Sequence, residues 1–254
     1  FMFLIFNKEK IQTYVVSILT VAVLIAIANI KDISAIPTFA PEKYLPIYNV
    51  QTEEKKVAFT MNCAWNADDI DSILETLKNN DVHITFFIVG DWADKYPEEV
   101  KKIHEAGHEI GSHSNTHPHV NNLSAEKNLE EIQLSVNKLE KITGNKTTLY
   151  RAPYGEYNDT VIKTAQENGY FTIQWNLDTL DYKGLTGEEM WKRLKNKLEK
   201  GSIILSHNGT KHTADSLDML IKNIKESGFK VTTVSDLIYQ DNYTINNNGT
   251  QIRN

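Results

Sequence analysis

The stretch Gly111-Ser112-His113-Ser114-Asn115-Thr116-His117-Pro118 sets two histidines four residues apart. On a helical turn, side chains at i and i+4 share a face. Two imidazoles so placed can hold two coordination positions of a divalent transition metal. The Ser/Thr-rich start and the closing proline mark a turn. A polar loop with surface histidines has the same look, so the pair gains weight only from its company. Four further segments carry matching chemistry: Asn62-Cys63, Arg151-Ala152-Pro153-Tyr154-Gly155, Asp178 with Asp181, and His207. Each has a plain alternative. Arg151 can cap a strand, Asp181 can sit in an exposed turn, and His207, after Ile203-Ile204-Leu205, can be a satisfied core histidine. Trp65 and Trp175 can stack on a sugar or fill a core. His83, His104, His108, His119 and His212 fit no motif and read as structural or surface residues.

The elements that must position these groups follow from hydrophobic period. Lys56–Met61 reads as a strand, and 69–79 as a helix with Ile70, Ile73, Leu74 and Leu77 on one face. Strands follow at 82–89, 108–112, 148–151, 170–177, 202–206 and 229–234. Helices follow at 97–106, 124–143 (N-cap Ser124), 159–168, 187–200, 214–227 and 234–239. Strand-then-helix repeated about seven times means a parallel α/β architecture, either an open doubly wound sheet or a barrel. No G-x-G-x-x-G follows the first strand, so a dinucleotide fold has no support. The polar motifs all fall after strands, at the carboxyl edge where α/β sites are built.

The chain has 254 residues, is 41% hydrophobic and carries a net charge of −6. That is enough to bury a full core, and nothing suggests a basic nucleic-acid surface. The one cysteine, Cys63, excludes an intramolecular disulfide. Residues 14–30 are uncharged and mostly apolar, behind Lys8 and Lys10. The run predicts a membrane-spanning signal anchor or a signal peptide cleaved near Ala26-Ile27-Ala28. Either places the remainder outside the cytoplasm, membrane-anchored or secreted. Residues 31–55, with Pro37, Pro41 and Pro46, read as a linker, and Asn/Thr-rich 240–254 as a flexible tail. The folded domain is expected over 56–239. Oligomeric state is not legible.

From Phe59 to Ile238, about 180 of the 254 residues, the chain resembles the NodB-homology domain of polysaccharide deacetylases. His-Ser-x-x-His-Pro, Arg-x-Pro-Tyr-Gly and Ile-x-Leu-x-His match in order and spacing. The resemblance implies a distorted (β/α) barrel with about seven strands. It also implies a divalent metal, best matched by Zn²⁺, and removal of acetyl groups from chitin-like polymers, peptidoglycan or xylan. By the same resemblance, His113 and His117 are metal ligands and Arg151 orients the general base. The Tyr154 backbone N–H is the oxyanion donor, and Leu205 lines the acetyl pocket. Asp181 tunes His207, the general acid that protonates the leaving amine.

The first motif departs from the family's Thr-Phe-Asp-Asp. It reads Thr60-Met61-Asn62-Cys63, with Asn62 at the base position and Cys63 at the metal-aspartate position. Asn has no titratable proton. Cys63 reads either as a thiolate completing a Cys-His-His zinc site or as a small buried hydrophobe. Asp68 and Asp69 can swing in as base or ligand, or serve as N-cap and first-turn acids. Tyr182 stands where the family often has Trp. Three functions are consistent with this: a metal-dependent deacetylase of extracytoplasmic amino-sugar polymers with an altered first motif, a catalytically weak or inactive wall-glycan binder, and a metal-dependent hydrolase of another bond.

Overall fold

The computed structural model describes residues 8–28 and 44–254. The chain divides into two compact units, 1–42 and 43–254. In the first, helix α1 spans Lys8–Ala28 and its described side chains, residues 12–23, are exposed. Among the described residues no helix is long and apolar enough to cross a membrane. The expected spanning segment therefore finds no support in the structure, and its last two residues lie outside the described ones.

In the second unit the elements run β1 (Asn49–Val50), β2 (Lys56–Cys63), α2 (Ile70–Asn79), β3 (Thr85–Ile88), α3 (Gly90–Lys95), α4 (Pro97–Glu105), β4 (Glu109–Ser112), α5 (Ala125–Thr143), β5 (Leu149–Tyr150), α6 (Asp159–Glu167), β6 (Phe171–Thr172), β7 (Leu177–Asp178), α7 (Gly187–Leu194), β8 (Ile203–His207), α8 (Thr213–Glu226), β9 (Lys230–Thr232), β10 (Tyr243–Ile245) and β11 (Thr250–Arg253). The main sheet is parallel, in the order β6-β5-β4-β3-β2-β8-β7, with β9 beside β2. These seven parallel strands match the distorted barrel that the resemblance implies, and not the open sheet that the strand–helix pattern also allowed. Strand β2 is its hub. It pairs with β3 through Thr60–Cys63, with β8 through Ala58–Asn62 and with β9 at its start. Alternation along β2 divides the interior. Val57, Phe59, Met61 and Cys63 join the core shared with the helices, whereas Ala58 joins the inner cluster with Phe87, Ile173 and Ile203. Burying each such large side chain contributes roughly 1.5–3 kcal/mol.

Among the described residues β6 and β7 do not pair, so the circle has a seam. Residues 44–50 lie in it. Ile47 bridges Ile173 and Asn49 bridges Ser202. Ile47 N–H donates to Thr172 O at 2.9 Å, and Ile47 O accepts from Gln174 N–H at 2.7 Å. This corrects the linker reading for residues 44–55, because otherwise unpaired sheet-edge groups require that strand. The flexible tail is also corrected. β10 and β11 form an antiparallel hairpin, and β11 runs parallel to β1. Its turn is Asn246-Asn247-Asn248-Gly249, with Gly249 at φ +78°. Asn followed by Gly is a hairpin signal that the polar composition masked. Three smaller differences follow. Residues 234–239 form a turn, not a helix. Helix α3 was not anticipated. The strand expected over 170–177 is broken into β6 and β7, and at the break the carbonyls of Ile173 and Gln174 accept from Arg151.

Candidate active site

The histidine pair comes from a loop rather than a helical turn. Ser114 and His117 both have positive φ, +62° and +59°, an uncommon state for non-glycine residues. The loop is held from outside. Glu131 on α5 accepts from the backbone N–H of Asn115 at 2.9 Å and of Thr116 at 2.8 Å. Gly90 N–H donates to Ser114 O, and a Cβ at Gly90 would run into Asn115 Oδ1. The two imidazoles end edge to face, centroids 4.9 Å apart. Burial holds both below the usual imidazole range, His113 far below it with a further push from His117. In both rings burial favours the neutral form.

Arg151, just after β5, is fully buried beneath them. Its guanidinium donates to Thr60 Oγ1 at 2.8 Å and Asn62 Oδ1 at 3.0 Å. It also donates to the carbonyls of Ile173 and Gln174, and it lies 4.0 Å from the Phe87 ring centroid. Among the described residues no carboxylate pairs with it. Burial pulls its pKa down, and only dipoles and an aromatic face offset that cost. Asn62 Nδ2 lies 3.2 Å from His113 Nε2, and His113 Nδ1 lies 2.8 Å from Arg151 O. The three residues thus form a closed ring of hydrogen bonds.

On the other side of the cleft stands His207, at the end of β8. Its Nδ1 lies 2.8 Å from Asp181 Oδ1. The buried Asp181 carboxylate also accepts from the backbone N–H of His207 and Tyr182 and from Thr213 Oγ1 at 2.8 Å. With Nδ1 engaged, Nε2 is the nitrogen left to serve the cleft. Asn62, His113, His117, Tyr154, Leu205 and His207 line one cavity of about 440 Å³, together with Trp65, Trp175, Asp178 and Tyr182. Asp178 is partly buried, which raises its carboxyl pKa. Tyr154 has φ +58°. Its ring lies 4.6 Å from that of His117 and stacks on His119 at 4.3 Å. Trp65 and Tyr182 flank His207, with ring centroids at 5.3 and 5.4 Å.

The structure thus gathers eight of the nine site residues expected from sequence, with Arg151 beneath the cavity and Asp181 behind His207. Cys63 is the exception. Alternation along β2 turns it away from Asn62 into the helix-side core, where burial and then Asp69 push its thiol pKa up. It is the buried hydrophobe of the two readings and not a ligand. Asp68 and Asp69 do not line the cavity either. Asp69 accepts from Gly209 N–H at 2.7 Å and Asn208 Nδ2 at 3.1 Å, tying the loop after β8 to α2. The donor set therefore does not fit the three-ligand metal centre that the resemblance implies. Two imidazoles are present, and among the described residues no three His, Cys, Asp or Glu side chains are grouped to hold an ion. Sequence reasoning missed Thr60, Thr213 and Glu131. Thr60 lies in the first motif and was legible there, whereas Thr213 and Glu131 reach the site only through tertiary packing.

A parallel barrel with a histidine pair, a buried arginine and an Asp–His pair at the carboxyl ends of its strands defines a hydrolase-type site. Residues 49–173 match the family described as Polysaccharide deacetylase. YlxY of Bacillus subtilis is 32% identical over 211 residues, which cover 83% of this chain and 65%, just under two thirds, of that protein. The peptidoglycan-N-acetylglucosamine deacetylase of Bacillus cereus is 29% identical over 200 residues, 77% of this chain and 73% of that one. Among solved structures, a CE4 family pseudoenzyme from Bacillus anthracis superposes with a TM-score of 0.74 at 34% identity, covering 78% of this chain and 69% of that chain. A mutant of that pseudoenzyme is described as having restored enzymatic activity. The chain belongs to the polysaccharide deacetylase family, CE4.

Proposed function

We propose that this protein is a cell-wall-directed CE4 domain whose cleft binds N-acetylated amino-sugar chains and deacetylates them slowly or not at all. One observation carries the reading: the base position holds an amide, Asn62, fixed between Arg151 and His113. Amide hydrolysis needs one proton taken from water and one given to the departing nitrogen. His207, oriented by Asp181, is built to give one. Asn62 cannot take the other, and a positioned general base contributes on the order of 10²–10⁴-fold. The relatives named as peptidoglycan deacetylases support the wall glycan, and the pseudoenzyme neighbour supports the loss of rate. Half-exposed Trp65, Tyr154 and Tyr182 at the cleft suit the apolar faces of pyranose rings. The test is to measure binding and acetate release side by side, on N-acetylated chitooligosaccharides and peptidoglycan fragments. Binding with little release is expected. Release at the rate of an active relative, or no binding to either glycan, overturns the reading.

A second reading, slow zinc-dependent deacetylation, is favoured by the intact Asp181–His207 pair, which a pure binder does not need. Acetate release that rises with added Zn²⁺ and stops with chelator would establish it. The location outside the cytoplasm is proposed from the apolar run 14–30 behind Lys8 and Lys10. Fractionation of the expressed protein checks it, and recovery wholly in the cytosol removes it.

A further inference from the structure

The ring formed by Arg151, Asn62 and His113 fixes more than a missing base. Arginine only donates, so its contact with Asn62 at 3.0 Å requires Oδ1 on that side. The Asn62 NH₂ must then face His113 Nε2, at 3.2 Å. His113 Nδ1 is next to a carbonyl, Arg151 O, at 2.8 Å. A carbonyl only accepts, so Nδ1 carries the proton and Nε2 carries the lone pair. That lone pair, the one a metal ion would use, accepts from the Asn62 amide. Turning the amide over would set its NH₂ against a buried guanidinium and leave two donors without acceptors.

We infer that Asn62 is a built-in plug of the metal position, so that the native cleft binds its ligands without a catalytic metal. The spacing supports this. Two donor atoms on a tetrahedral ion with bonds of roughly 2.0 Å lie about 3.3 Å apart, close to the distance between Asn62 Nδ2 and His113 Nε2. The amide nitrogen thus stands on the Nε2 lone pair at the spacing of a second donor atom, and a primary amide nitrogen has no lone pair to give. The third ligand position of the family is lost as well, because Cys63 faces the other side of β2. Replacing Asn62 by aspartate changes both terms together. Both carboxylate oxygens accept, so one meets Arg151 and the other stands as a metal ligand, where the amide had a hydrogen-bond donor, beside two imidazoles. A single substitution here supplies a carboxylate at that position and frees Nε2 for a metal.

The inference does not depend on whether the cleft binds glycan, and its test does not use turnover. The full chain is dialysed against Zn²⁺, and separately Co²⁺, and bound metal is counted. The Co²⁺ visible spectrum reports imidazole ligation. The native protein is expected to retain far less than one equivalent, and Asn62→Asp close to one, with affinity raised by at least about 100-fold. Adding His117→Ala to Asn62→Asp is expected to abolish the gain, which separates the cleft from surface histidines. One equivalent of metal on the native protein, lost with His113→Ala, overturns the inference. So does an Asn62→Asp protein with native circular dichroism that binds no more metal than the parent. Glycan binding measured in parallel decides the functional reading separately.

Discussion

Asp181 grips His207 twice, through the imidazole Nδ1 at 2.8 Å and through the backbone N–H of the same residue at 2.6 Å. A carboxylate that holds both the ring and the chain of one histidine fixes its position and its rotamer together. Thr213 and the Tyr182 N–H complete the shell. Asp181→Asn replaces one accepting oxygen with a donor facing donors, inside a buried pocket. A stability loss of roughly 1–3 kcal/mol is expected, with Thr213→Val losing less. Urea denaturation of both variants checks the order, and a Thr213→Val protein less stable than Asp181→Asn contradicts it.

Asn62 also supports the fold. Asn62→Ala removes an acceptor from the buried Arg151 guanidinium and a partner from His113, so a loss of roughly 1–3 kcal/mol follows. Asn62→Asp gives that guanidinium the counter-charge it lacks, and a pair with good geometry offsets its own desolvation. In thermal melts with Zn²⁺ present, where the second carboxylate oxygen meets the ion rather than the Nε2 lone pair, Asn62→Ala should rank below native and Asn62→Asp at or above it. In acetate-release assays with Zn²⁺ present, Asn62→Asp should exceed native by about 100-fold or more.

Trp65 is 49% exposed and sits over the His207 ring. An indole left half in water at a cleft mouth gains area when a sugar ring covers it. Trp65→Ala should weaken binding of N-acetylated chitooligosaccharides by about tenfold, while Trp65→Phe keeps most of the affinity. Calorimetry on both variants decides it, and equal affinity for native and Trp65→Ala would exclude stacking at this residue.

His108, at the amino end of β4, has its pKa pushed down to about 4, mainly by burial and then by His83. Its Nδ1 accepts from Ile84 N–H at 3.2 Å, which needs the neutral ring. The unfolded chain binds the proton near pH 6.5, so stability should fall as pH drops from about 6.5 to about 4. His108→Asn keeps an acceptor but does not titrate. Its stability curve should be flatter over that window, and a curve parallel to native would assign the acid sensitivity elsewhere.

Much of this was legible in the chain. The strand–helix alternation pointed to a parallel α/β fold, the family resemblance chose the barrel over an open sheet, and the polar residues after each strand marked the edge where the cleft lies. The side of β2 on which Cys63 falls was also available, since neighbouring strand residues face opposite ways, yet the motif alignment set Asn62 and Cys63 together. The loop geometry at Ser114 and His117 was not readable, because its positive φ values are imposed by Glu131 and the close approach of Gly90. The break between β6 and β7 was equally hidden. At the break Arg151, 22 residues before Ile173 and 23 before Gln174, takes both of their carbonyls as acceptors.

The pairing of β1 with β11 joins residues about two hundred positions apart, Asn49 to Thr250 and Val50 to Gln251. Strand β1 is also the piece laid in the barrel seam. During synthesis it emerges early and must wait for nearly the whole domain before its second neighbour exists. Contacts so distant in sequence close late and slow the final step of folding. A released chain ending before residue 243 would hold a seam strand with one bare edge, the kind of edge that recruits other chains.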